Sequence, residues 1–117
     1  MENLKKYKNA KAYLKELQQQ KLEYIINTVI EKSDITNDDL MTRTKKINIC
    51  DARRKIIYLA KITFNMNGII LAERLKLDQE WVTTSLYTAF AIMQVDKEYR
   101  KEMQDLVFAL DQNQNLN

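Results

Sequence analysis

Residues 65–78 read Asn65-Met66-Asn67-Gly68-Ile69-Ile70-Leu71-Ala72-Glu73-Arg74-Leu75-Lys76-Leu77-Asp78, and Gln79-Glu80-Trp81-Val82-Thr83-Thr84-Ser85-Leu86 follows. Asn65-Met66-Asn67-Gly68 is a turn, in which Gly68 is expected to hold the left-handed C-cap of a preceding helix. Ile69–Leu75 then spans two helical turns. Lys76-Leu77-Asp78 is too short to be more than a connection, and Asp78 is a good N-cap for the next helix. That helix is expected from about Gln79 to Met93, with Val82, Leu86, Ala89, Phe90 and Met93 turned inward at three- and four-residue spacing. Two helices joined by a three-residue turn, with the small Ala72 in the first and the apolar Leu77 in the turn, make a helix-turn-helix layout.

Toward the N-terminus, Asp51 is expected to cap a helix over about 51–65 with the stripe Ile56, Ile57, Leu59, Ala60 and Phe64. Arg53, Arg54 and Lys55 then fall in its first turn, where cations oppose the helix dipole. Folding gains nothing from that placement, whereas a nearby phosphate backbone rewards it. Residues 42–50 form a basic linker. Before it, Thr36 is expected to cap a short helix whose Asp38 and Asp39 suit its positive end. Residues 1–32 read as a long helix or two abutting ones, with Leu14, Leu17, Leu22, Ile25, Ile26, Val29 and Ile30 recurring at helical spacing. Its first twenty residues form a lysine-rich arm. After the bihelical unit, Tyr99, Met103, Leu106, Val107 and Leu110 predict a final helix over about 96–111, and 112–117 is a polar tail.

The remaining composition agrees with an all-α chain. Among 117 residues there is one glycine and no proline, so β-hairpins lack the turn chemistry they need. Histidine is absent, which removes Ser-His-Asp and Cys-His sites and the commonest metal ligand. The single cysteine, Cys50, cannot form an internal disulfide or a cysteine-based zinc site, and reads as a small half-buried apolar residue. No catalytic residues, metal or cofactor are expected. No apolar run approaches the length of a membrane span, and the N-terminus has no secretory pattern, so a cytoplasmic protein without a membrane partner is expected.

Charge is unevenly placed. Residues 1–60 carry 13 Lys/Arg and 8 Asp/Glu, and residues 61–117 carry 6 and 8, so a net +5 faces a net −2. Between 41 and 61, Arg43, Lys45, Lys46, Arg53, Arg54, Lys55 and Lys61 face only Asp51. Such a cluster is the footprint of a polyanion-binding face, or else a solvated helix surface. On the second helix of the bihelical unit, Gln79, Thr83, Thr84, Ser85, Tyr87 and Thr88 are the polar candidates for the outer face. Trp81 lies on or beside it.

From about Leu22 to Leu106 the sequence resembles the C-terminal DNA-binding domain of the bacterial replication initiator DnaA, with the helix that leads into it. Val29-Ile30-Glu31-Lys32 followed by Ile35-Thr36-Asn37-Asp38-Asp39-Leu40 is similar to the family's Ile-Thr-Val-x-Asp-Leu junction. Ala52-Arg53-Arg54-Lys55-Ile56-Ile57-Tyr58-Leu59-Ala60-Lys61 is similar to its Ala/Pro-Arg-x-x-x-x-x-Leu-Ala-Arg/Lys helix. The bihelical unit comes at the family's distance, and Asp96-Lys97-Glu98-Tyr99-Arg100 resembles the start of the closing helix. The chain has no Gly-x-x-x-x-Gly-Lys-Ser/Thr loop and thus no initiator ATPase body. The recognition segment also departs from the family's Arg-Asp-His-Thr-Thr-Val. Here Leu77-Asp78-Gln79-Glu80-Trp81-Val82-Thr83-Thr84 lacks the histidine and adds Glu80.

The resemblance implies that Arg53 reaches a minor groove and that Lys45, Lys46 and Lys61 hold phosphates. Together with Arg43 and Arg54 these would grip the backbone, while Gln79, Thr83, Thr84 and Thr88 would enter a major groove. The expected function is double-stranded DNA binding by occupancy, as an accessory or regulator of replication or transcription on a plasmid, phage or replication locus. The competing reading is a helical interaction or virion-associated module that keeps the fold without DNA readout, pairing with a copy of itself or another protein through the N-terminal helix.

Overall fold

The computed structural model describes residues 10–115, which form six helices and, among the described residues, no strand. Lys5, Lys6 and Lys8 of the expected basic arm lie outside the described residues. Helix α1 (Ala10–Glu31) buries Leu22, Ile25, Ile26 and Val29, all in its second half. Its first half overhangs: residues 10–15 are exposed, and Leu14 keeps 56% of its surface in solvent. Tyr24 of α1 donates its hydroxyl to the Leu110 carbonyl at 3.2 Å, which ties α1 to the last helix.

Helix α2 (Asn37–Met41) is short and lives on its cap. The Thr36 side chain accepts from the Asp39 backbone N–H at 3.2 Å, and Asp39 Oδ2 accepts from the Thr36 N–H at 2.8 Å, a reciprocal capping box. Thr36→Ala leaves the Asp39 N–H without its side-chain acceptor. It is expected to cost about 1 kcal/mol, read as a lower urea midpoint at unchanged slope.

Helix α3 (Ile47–Phe64) is the central element, packed by α1, α2, α5 and α6. It begins four residues before the expected start. Lys46 stands at the N-cap without a side-chain bond, and Asp51 lies inside the helix, where it pairs with Lys55 at 2.9 Å and Arg54 at 3.6 Å. Arg53, Arg54 and Lys55 are therefore beyond the first turn, and the conflict with the helix dipole disappears. At the other end the left-handed residue is Asn65 (φ 47°) rather than Gly68. Gly68 opens helix α4 (Gly68–Leu75), capped by the Asn67 side chain accepting from the Ile69 N–H at 2.7 Å.

Lys76 ends α4 in the left-handed conformation (φ 54°), and the Leu77 N–H donates back to the Ala72 carbonyl at 2.9 Å. Asp78 then caps helix α5 (Gln79–Val95), accepting from the Trp81 N–H at 3.1 Å. Helix α5 buries Val82, Ser85 and Ala89, so Ser85 faces the core and not the surface. Phe90, expected inside, is 40% exposed and sets its ring edge on Tyr58 at 5.4 Å. Helix α6 (Lys97–Asn115) extends four residues past the expected 111 and presents Tyr99, Met103, Leu106 and Leu110 to the core. Among the described residues no helix is long and apolar enough to cross a membrane.

Candidate nucleic-acid interface

The loop between α2 and α3 carries exposed cations, and a buried guanidinium shapes it. The last carbonyls of a helix have no partner within it. Arg53, 5% exposed, supplies one: its Nε and Nη2 donate to the Leu40 carbonyl at 3.1 and 2.9 Å. Nη1 donates to the Thr44 carbonyl at 3.4 Å, and Nη2 also donates to the Thr42 carbonyl. The expectation that Arg53 reaches a minor groove fails on this geometry. Its fork is spent on three carbonyls of its own chain, and it acts as a positioning residue for residues 40–44.

Successive residues on a helix point about 100° apart, so Arg54 leaves Arg53 and turns to α6. It joins Asp51 and lies beside Tyr99, and so is half-buried and engaged instead of presented to a ligand. Lys55 bonds Glu102 at 2.6 Å and Asp51 at 2.9 Å, and lies 5.5 Å from the Tyr99 ring centre. Burial pulls the Lys55 pKa down, but hydrogen bonds and attraction to Glu102 and Asp51 exceed it, and the net shift is upward. Burial, with Asp51 adding to it, pushes the Tyr99 hydroxyl to about 12, against the opposing pull of Arg54 and Lys55. This network fastens α6 to α3 and removes two of the seven clustered bases from the surface.

Arg43, Lys45 and Lys46 remain exposed on the loop, and among the described residues none has an ion-pair partner. They do not stand apart from α5. Arg43 and Lys45 line a cleft of ≈ 630 Å³ with Lys76, Leu77, Asp78 and Trp81, so the loop faces the α4–α5 turn and the start of α5. Cys50 also lines that cleft, with its thiol 3.8 Å from the Thr44 carbonyl. Gln79, Glu80, Thr83 and Thr84 form a shallow exposed depression on the next face of α5, and Thr88 is half-buried further along. Lys61 is elsewhere. Its Nζ is 3.7 Å from the point a Cβ on Gly68 would occupy, at the far end of α4 from the loop.

No family model, curated protein or solved structure matches the chain.

One site residue, Lys76, escaped the sequence, and Trp81, expected on or beside the outer face, lines the cleft. Lys76 looks like an ordinary connector, yet its left-handed backbone sets its side chain on the cleft rim; a cation at a C′ position is the signal that could have found it. Trp81 packs partly on the core while lining the same cleft, a position fixed by the Asp78 cap. Among the described residues no group of three or more Cys, Asp or Glu is placed to hold a metal ion.

Proposed function

We propose that the chain binds double-stranded DNA and acts by occupancy, as an accessory or regulator of replication or transcription. The carrying observation is the shared cleft: free cations from the 42–46 loop and Lys76 border the N-terminal turn of α5, next to the uncharged polar Gln79, Thr83 and Thr84. Cations of this kind neutralise phosphates without reading sequence, and the polar face has the donors and acceptors that base edges require. The order of basic loop, central helix and bihelical unit is also the one that the resemblance to the initiator domain implies.

Arg43, Lys45, Lys46 and Lys76 offer four phosphate contacts. Log K for a random duplex is then expected to fall with log salt at a slope of about −3.6 or steeper. A nearly flat dependence, or no binding at low salt, overturns the reading. Glu80 works against phosphates while being able to accept from cytosine N4. Glu80→Gln is expected to raise affinity for random duplex about threefold or more and to weaken any preference for cytosine, measured by competition between duplex pools.

A protein-binding reading has one observation of its own. Tyr87 and Val95 of α5 are 68% and 85% exposed.

A further inference from the structure

We infer that the cleft between the 42–46 loop and the α4–α5 turn is a nucleotide subsite, in which an unpaired base rests against Trp81 and its phosphates meet Arg43, Lys45 and Lys76. This rests on the DNA-binding reading above and deepens it. The preferred partner is a duplex in which one nucleotide has left the stack, over a fully paired one.

The cleft joins the two kinds of group that a nucleotide needs. Its volume of ≈ 630 Å³ is within the size range of sites that enclose small ligands. Trp81 and Leu77 line it with apolar surface, while Arg43, Lys45 and Lys76 bring three exposed cations. Among the described residues none of these three has an ion-pair partner. The one carboxylate among the lining residues is Asp78, whose Oδ1 already accepts from the Trp81 N–H at 3.1 Å. Asp78 also stands at the positive end of α5, where the helix dipole offsets its charge. What is left is positive charge beside an indole.

The placement of Trp81 favours an unpaired base. In a duplex the faces of a base are covered by its neighbours, and only its edges reach the grooves. An indole that lines a cleft between a loop and a helical turn meets little of such a base. A base that has left the stack offers its whole face, and stacking on an aromatic side chain suits any of the four. Trp81 is also fixed beforehand, by its packing on the core and by the Asp78 cap, so little ordering is left for binding to supply.

Folding supplies no reason for the cations. Three like charges around one cleft repel each other and work against the compact state. Phosphates on either side of the inserted base turn that repulsion into attraction.

The chain has a single tryptophan, so its intrinsic fluorescence reports on this cleft. The test titrates the full chain at low salt with a short paired duplex, the same duplex carrying one extra unpaired thymidine, and the same duplex with an abasic residue in place of that thymidine. The unpaired thymidine is expected to strengthen binding about tenfold over the other two and to quench the indole emission most strongly. Trp81→Tyr should keep most of this preference. Trp81→Ala should bind all three DNAs alike, and because the comparison is made within one protein, any loss of folded fraction cancels. If the abasic and thymidine duplexes bind wild type equally, or if Trp81→Ala keeps the preference, the subsite is wrong; salt-dependent binding of the paired duplex then leaves the DNA reading standing. If none of the three DNAs binds at low salt, both fall.

Discussion

Arg53→Ala is expected to lower the thermal midpoint by about 10 °C, the largest loss from any single polar substitution in the molecule. The wild-type guanidinium is buried and donates to the carbonyls of Leu40, Thr42 and Thr44. Hydrogen bonds to a charged group are worth about 1.5–3 kcal/mol, and buried acceptors left without donors cost about 1–3 kcal/mol each. Water reaches part of the loop and recovers some of this, so a net loss of about 3 kcal/mol is the reasonable size. Arg53→Lys keeps the charge but loses the fork that serves three carbonyls, and it is expected to recover less than half the loss. Calorimetry gives the midpoint, and amide exchange at 42–46 shows whether the loop has loosened. The outcome also separates two roles for this residue. A clamp predicts a lower midpoint with a faster-exchanging loop; a DNA contact predicts an unchanged midpoint with a salt slope shallower by about 0.9.

The fate of Arg53 shows which parts of the molecule sequence alone reveals. Thr36 and Asp78 were readable as caps because a cap needs only a short side chain and an N–H two or three residues away. The apolar stripes of α3 and α6 were readable for a similar reason, since helical spacing selects their faces before any neighbour is known. The start of α3 was not. Asp51 has the chemistry of a cap, but the helix extends back to Ile47 with no capping side chain at Lys46. What holds the preceding loop against it is Arg53, thirteen residues beyond Leu40 in sequence. Asn65 and Gly68 competed for one left-handed position, and Asn65 takes it because α4 starts at Gly68.

The same limit applies to the candidate interface. Charge counting marked seven bases between 41 and 61, but only the fold sorts them. Arg53 is consumed by carbonyls and Arg54 and Lys55 by the α6 network, while Lys61 stands apart from the loop, at the far end of α4. The sum was visible in the sequence, and the partition was not.

That partition leads to the strongest binding prediction. Arg43→Ala/Lys45→Ala/Lys46→Ala is expected to weaken duplex binding roughly 100-fold at low salt and to make the salt slope shallower by about 2.7, since three phosphate contacts disappear. Its thermal midpoint should stay within a few degrees of wild type, because all three side chains are exposed and unpaired among the described residues. A decisive companion is Lys55→Met, which removes a positive charge on the other side of α3. Lys55 is held by Asp51 and Glu102, so its loss should reduce stability and leave the salt slope unchanged. Net charge alone predicts something different: each of the four substitutions would flatten the slope by a similar amount, wherever it lies. A slope that responds to the loop and not to Lys55 means that phosphates meet the molecule at the cleft between the loop and α5. Equal responses mean that the duplex feels only the overall charge, and the cleft would then have no part in binding.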